Sequence, residues 1–141
     1  MSTLQPFSYR GMADLLKAAF GYYSMDCRPL ADQPLASVTA TEDKERLVFT
    51  LTDGRTLTYV AEGDCCSVSW IEHLTVPPDI AGSVVTAVGE REMGEMEQVY
   101  GTIRVYETSF RTDRGDIVVE YRNSSNGYYG GNLRGPLESI E

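Results

Sequence analysis

The sequence predicts an α+β fold, in which a single antiparallel, hairpin-built sheet carries one or two short helices packed on it. Three observations support this prediction. Residues 11–20 show helical periodicity, an Asp-Gly pair at 53–54 lies between two strand-like runs, and residues 99–121 alternate around a turn. We divide the chain into an N-terminal helix and irregular link, residues 1–34, and an antiparallel sheet domain, residues 35–141.

The N-terminal helix is predicted because apolar side chains recur every three or four residues and therefore share one face. Gly21 follows this segment and suits the C-terminal end of a helix. Two prolines indicate that residues 21–34 are an irregular link. The apolar positions of the helix are Met12, Leu15, Leu16, Ala19 and Phe20.

Two hairpins form most of the predicted sheet. Asp53-Gly54 predicts the first turn, because both central residues of a two-residue hairpin turn need positive φ. The alternating runs 46–52 and 55–60 flank that turn. The second hairpin joins residues 99–110 to residues 116–121. Further predictions are strands at residues 35–40 and 83–88, an acidic loop at residues 90–97, and a weak edge strand in the last ten residues.

Residues 63–73 hold two of the three cysteines, the only tryptophan and the only histidine. We expect Gly63 to end the preceding strand and residues 67–74 to form a short helix. Packing is the favoured interpretation of this corner, because free cysteine is among the most buried residue types. The residues that we expect to be structural here are Asp64, Cys65, Cys66, Trp70 and His73.

A zinc site or a thiol enzyme is the alternative interpretation of these residues. Zinc would use Cys65, Cys66, His73 and Cys27, but structural zinc sites usually space paired cysteines two to four residues apart. A thiol enzyme would use Cys65 or Cys66 as nucleophile and His73 as base. On one helix, His73 would lie about two turns from Cys66, too far for a direct hydrogen bond. We therefore expect no metal, no cofactor and no catalytic residue.

The composition describes an acidic protein of 141 residues with a formal charge of −9. This charge disfavours direct binding of nucleic acid, because phosphate neutralisation requires basic groups. No segment offers the roughly 20 apolar residues of a membrane span, and the N-terminus lacks a secretory pattern. We expect a cytoplasmic protein of a bacterium or a phage-infected host, with a virion component as the alternative.

Two segments are candidates for contact with a protein partner. Tyrosines flanked by Gly and Asn at residues 126–131 are typical of interfaces, and a loop folded over the sheet is the alternative. The glutamates around Gly94 would attract a basic partner, and a solvated loop is the alternative. The candidate binding residues are Asn126, Tyr128, Tyr129, Glu90, Glu92, Glu95 and Glu97.

Two motifs carry a family resemblance, and the Asp53-Gly54 hairpin precedes both. They are Gly63-Asp64-Cys65-Cys66-Ser67 with Trp70-Ile71-Glu72, and Ser125-Asn126-Gly127-Tyr128-Tyr129. In these motifs the chain resembles a family of small proteins of unknown function encoded by phages and bacteria. The resemblance covers roughly residues 35–131 and implies a phage or prophage context. It implies no activity or cofactor.

We therefore expect a non-enzymatic protein that binds a protein partner, which is basic or itself binds nucleic acid. Inhibition of a host defence or DNA-handling protein is the concrete form of this expectation. A virion or assembly component, with homo-oligomer or capsid contacts, is the second hypothesis, and the thiol or zinc enzyme is the third. No contact with nucleic acid or with a membrane is expected.

Overall fold

The computed structural model describes residues 28–63, 67–98, 101–125 and 131–137. Strands make up 72% of these residues, and their one helical element is the three-residue 3₁₀ turn Arg28–Leu30. The predicted helix at residues 11–20 lies outside them. None of the described residues belongs to a helix long and apolar enough to cross a membrane.

The predicted α+β fold with a single sheet is wrong, because the described strands form two four-stranded antiparallel sheets. The strands are β1 (Leu35–Ala40), β2 (Arg46–Leu51), β3 (Thr56–Gly63), β4 (Val68–Thr75), β5 (Val85–Gln98), β6 (Gly101–Thr112), β7 (Gly115–Ser125) and β8 (Gly131–Leu137). The first sheet has the order β1-β2-β3-β8, and the second has the order β4-β7-β6-β5.

Both predicted hairpins are confirmed, with a different turn in the first. Gly54 has a φ of 93°, whereas Asp53 is not among the residues with positive φ. Leu51 donates its N–H to the Arg55 carbonyl at 2.8 Å and accepts the Gly54 N–H at 3.0 Å, which closes a three-residue loop with glycine in its last position. The second hairpin pairs β6 with β7.

The helix predicted at residues 67–74 is wrong, because residues 68–74 belong to β4 and pair with β7. A bulge lies between Ile71 and His73. The extra residue lets Ile71 and Leu74, three positions apart, both pack against the core. This spacing is the one that a helix produces, so a bulged strand and a helix give the same apolar pattern here.

The acidic loop predicted at residues 90–97 is also wrong, because these residues continue β5. Their pairing with β6 extends to Gln98, which lies opposite Gly101. Acidic side chains fit this strand because residues 92–96 are exposed to solvent. Of the strand predicted at residues 83–88, residues 85–88 are the first part of β5, and residues 83 and 84 precede it.

The core lies between the two sheets, and three aromatic rings mark it. Phe49 of β2 meets Phe110 of β6 at a centroid distance of 4.9 Å and Tyr59 of β3 at 5.6 Å, both edge to face. Leu30 and Ala31 precede β1 and are also buried in this core. The chain therefore packs against the sheets from the first residues that the structure describes.

The loop between β1 and β2 joins the two sheets through its backbone. The Lys44 carbonyl accepts the Ile71 N–H of the second sheet at 2.6 Å. The neighbouring Glu45 carbonyl accepts the Ala61 N–H of the first sheet at 2.8 Å. These bonds fix β4 beside β3 and satisfy the N–H of Ile71 at the start of the bulge.

Replacement of Phe49 by alanine tests the aromatic core. Phe49→Ala removes a fully buried ring, and we expect a loss of about 3–5 kcal/mol in the free energy of unfolding. Thr50→Ala, at the partly exposed next position, should cost less than about 1 kcal/mol. Urea denaturation measures both values, and similar losses for the two variants would contradict this placement of the core.

Candidate functional site

Among the described residues, the second sheet is longer than the first, and one end of β5 is exposed to solvent. β5 has 14 residues and β6 has 12, whereas the strands of the first sheet have six to eight. Ala87 and Val88 near the start of β5 are buried, whereas residues 92–96 are exposed. The two paired segments at this end are residues 90–98 of β5 and residues 101–108 of β6, and together we call them the ribbon.

Three of the predicted binding glutamates lie on one face of the ribbon. Glu90 lies opposite Thr108, Glu92 opposite Tyr106, and Glu95 opposite Arg104. These β6 residues alternate along their strand and therefore share a face, so the three glutamates share it too. A bulge between Glu92 and Gly94 makes this possible although Glu92 and Glu95 are an odd number of residues apart.

The ribbon also exposes apolar side chains. Met93 and Met96 of β5 are 43% and 40% exposed. Met96 lies opposite Ile103, on the face of the ribbon away from the three glutamates. The ribbon therefore offers an acidic face, an apolar contact on the other face, and an ion pair of 2.9 Å between Glu95 and Arg104.

Glu90 lies where the ribbon meets the core. Its Oε2 accepts a hydrogen bond from the Thr108 hydroxyl at 2.8 Å and another from the Tyr121 hydroxyl. Burial raises the pKa of the Glu90 carboxyl, and the two hydrogen bonds only partly oppose that rise. Burial, together with the Glu90 carboxylate, also raises the pKa of Tyr121, so its hydroxyl remains a donor.

The Tyr121 ring connects Glu90 with the start of β8. Tyr106 stacks on it, with ring centroids 5.1 Å apart and an interplanar angle of 17°. The Tyr106 hydroxyl accepts the Gly131 N–H at 3.3 Å. Polar groups and two stacked rings thus replace apolar packing at this end of the sandwich.

Asn123, two residues before the second sequence motif, contacts Ser67 of the first motif in a group that we name the Asn123 cluster. This residue is fully buried, and its Nδ2 donates to the hydroxyls of Ser67 and Ser69, both at 3.0 Å. Gly63 lies opposite Gly131 in the β3–β8 register, and a Cβ on either would clash with one of these hydroxyls. Glycine is therefore required at both positions by the close approach of the serines.

Trp70 and His73 lie far from the glutamates. Both are on β4, which forms the opposite edge of the second sheet from β5, three strand spacings or about 14 Å away. Trp70 donates its Nε1–H to Glu72 at 2.8 Å, and this bond, helped by Arg122, lowers the pKa of Glu72. His73 is exposed. The predicted site residues therefore do not form one cluster.

Several predicted site residues lie outside the described residues: Cys27, Asp64, Cys65, Cys66, Asn126, Tyr128 and Tyr129. For Glu97 the structure gives the backbone position, opposite Thr102 in β6. In the part of the chain that the structure describes, no three His, Cys, Asp or Glu side chains form a group suited to a metal ion.

Sequence reasoning missed Asn123 and Tyr121, although a signal for them exists. Ile117 and Val119 begin an alternation of buried residues that continues through Tyr121 and Asn123 to Ser125. The predicted strand ended at Tyr121, which left Asn123 in a polar loop. Extending the two-residue period past the asparagine would have placed a polar amide inside the protein.

Replacement of Glu90 by glutamine tests the buried carboxyl. Folding raises the pKa of the Glu90 carboxyl. The contribution of this group to the free energy of unfolding is therefore complete at low pH and is lost as the pH rises through the raised pKa. We expect the stability of Glu90→Gln relative to wild type to increase from about pH 4 to about pH 8 in urea denaturation. Glu92→Gln, at an exposed carboxylate of the same strand, controls for loss of one charge. A relative stability that falls with pH would contradict the assignment.

The contact at Gly131 is testable by a double-mutant cycle. Gly131→Ala introduces a methyl group against the Ser69 hydroxyl, and we expect a loss of about 1–3 kcal/mol. In a Ser69→Ala background the same change should cost less, because the opposing oxygen is gone. Thermal and urea unfolding of the four proteins measure this coupling, and strictly additive losses would disprove the contact.

Comparison with known proteins gives a family without an assigned activity. No curated protein and no solved structure matches the chain. A family model described as a domain of unknown function, DUF7448, matches residues 24–134. This range contains β1 to β7, the ribbon and the Asn123 cluster. The chain therefore belongs to the DUF7448 family, an uncharacterised family of domains.

Proposed function

We propose that this protein acts by binding a basic protein partner and catalyses no reaction, and that the ribbon is the contact surface. The observation that carries the proposal is the alignment of the exposed Glu92 and Glu95 with the half-buried Glu90 on one face of the ribbon, at an edge of the second sheet. Successive glutamates lie roughly 7 Å apart along the strand, which suits lysine or arginine side chains of an extended or loop segment.

The charge of this face is concentrated on Glu92 and Glu95. Burial favours the neutral form of Glu90, and Arg104 pairs with Glu95 on the same face. The surrounding chain is also acidic, with a formal charge of −9, and this adds long-range attraction for a basic partner. Such attraction mainly raises the rate and the selectivity of association.

The exposed methionines give the ribbon an apolar component, and Met96 lies on the face away from the glutamates. Interfaces need desolvated apolar contacts for affinity, and methionine adapts its shape to different partners. Met93 and Met96 lie among the acidic residues of β5. A partner that combines basic and apolar side chains would use both features of the ribbon.

The biological setting that we propose is a phage or prophage protein of the bacterial cytoplasm that inhibits a host defence or DNA-handling protein. The double-cysteine and Asn-Gly-Tyr-Tyr motifs support the phage context by resemblance. The acidic charge supports the choice of target, because proteins that handle DNA carry basic surfaces for phosphate.

Charge reversal on the ribbon tests the proposal. Immobilised wild-type protein is incubated with bacterial lysate, and captured proteins are identified at about 50 mM and about 500 mM salt. We expect a basic protein that is released at high salt and that binds Glu92→Lys/Glu95→Lys about tenfold more weakly or worse, corresponding to about 1.4 kcal/mol. Calorimetry with the purified partner gives the affinities.

The control for this experiment makes the same change of charge elsewhere. Glu42 and Glu45 are exposed in the loop between β1 and β2, away from the ribbon. Glu42→Lys/Glu45→Lys should bind nearly as wild type does. An equal loss of affinity in both double variants would mean that only the total charge of the protein matters. Capture of the partner that withstands high salt would contradict charge-led binding at the ribbon.

A further inference from the structure

β5 forms an edge of the second sheet, with β6 on its inner side. An antiparallel edge strand directs alternate N–H and C=O groups away from its neighbour, toward a position that another strand can occupy. Within the described ranges, Ala31 forms an isolated β-bridge on the outer side of β5, with Val85, the first residue of this strand. The remainder of this 14-residue strand extends beyond that bridge.

Charge distinguishes between the possible occupants of this edge. Charged residues often prevent an edge strand from pairing with a copy of itself. On β5 the exposed residues Glu92 and Glu95 of one face are both acidic, so a second copy of this chain would bring like charges together. The same face attracts an extended segment with basic side chains.

The two faces of β5 also define the sequence pattern of such a segment. The face opposite the glutamates carries Arg91, which pairs with Glu107 of β6, and beyond it Gly94 and Met96, which lie across from Val105 and Ile103 of β6. Side chains of an added strand alternate between the two faces of the sheet. Basic residues would therefore meet the glutamates, and apolar residues between them would meet Met96 and the space above Gly94.

We propose that the outer edge of β5 receives an extended segment of the partner as a fifth strand, with lysine or arginine at alternate positions and apolar residues between them. This inference rests on the proposed function and adds its binding mode. Main-chain hydrogen bonds to the edge supply affinity in this mode, and the alternating pattern supplies specificity.

Synthetic peptides test the binding mode without knowledge of the natural partner. One peptide alternates lysine and valine, and a second has the same composition in two blocks. Fluorescence anisotropy with the full-length protein should show at least about tenfold tighter binding of the alternating peptide, because only that peptide can match both faces at once.

Methylation of peptide nitrogens gives a signature that charge alone does not produce. Two further alternating peptides carry N-methyl groups on either the odd or the even residues, which removes the N–H donors of one peptide edge. In strand addition one edge faces β5 and the other faces solvent. We expect one methylated peptide to lose binding at least about tenfold and the other to bind nearly as the parent does.

The outcomes separate this inference from the proposed function. If the alternating and block peptides bind equally and both lose binding to Glu92→Lys/Glu95→Lys, strand addition is overturned and the acidic ribbon remains the binding surface. Peptide binding that is unchanged in this variant overturns both. Equal losses of affinity for the two methylated peptides also overturn strand addition. So does a dimer of this chain, seen in sedimentation, that crosslinks through β5 and excludes the peptide.

Discussion

Packing of Phe110 against Phe49 and Tyr59 joins the two sheets, and the extent of this contact determines which part of the second sheet is covered. The strands of the first sheet have at most eight residues, so they cover only part of β5 and β6. Residues 92–96 extend into solvent as a consequence. The ribbon is therefore a result of unequal strand lengths, and β5 keeps its strand geometry there because it pairs with β6, which pairs with β7 in turn.

Two β-bulges determine on which face of the second sheet particular side chains lie. In β4 the bulge after Ile71 directs both Ile71 and Leu74 toward the core. In β5 the bulge before Gly94 keeps Glu92 and Glu95 on the same face. A regular strand would have placed one member of each pair on the other face, so each bulge changes a surface as well as a backbone.

The polar end of the sandwich connects the family motifs with the ribbon. Along β7 the inward residues change from Ile117 and Val119 to Tyr121 and Asn123, whose polar groups bond to Glu90 and to two serines. Gly131 approaches Ser69 closely and donates to Tyr106, the ring that stacks on Tyr121. These contacts of Asn123 and Gly131, which lie beside the motifs, thus support the base of the ribbon.

The sequence by itself determined the parts of this fold that depend on local order. Asp53-Gly54 predicted the first hairpin and the alternation of residues 99–110 predicted the second, because turn geometry and a two-residue period are properties of neighbouring residues. Only the tertiary structure decided that there are two sheets, that residues 68–75 are a strand, and that the glutamates share one face. Bulges and cross-strand pairing depend on partners distant in the chain, and a bulged strand repeats the apolar spacing of a helix. The candidate glutamates were therefore identifiable from sequence, but the ribbon that aligns them was not.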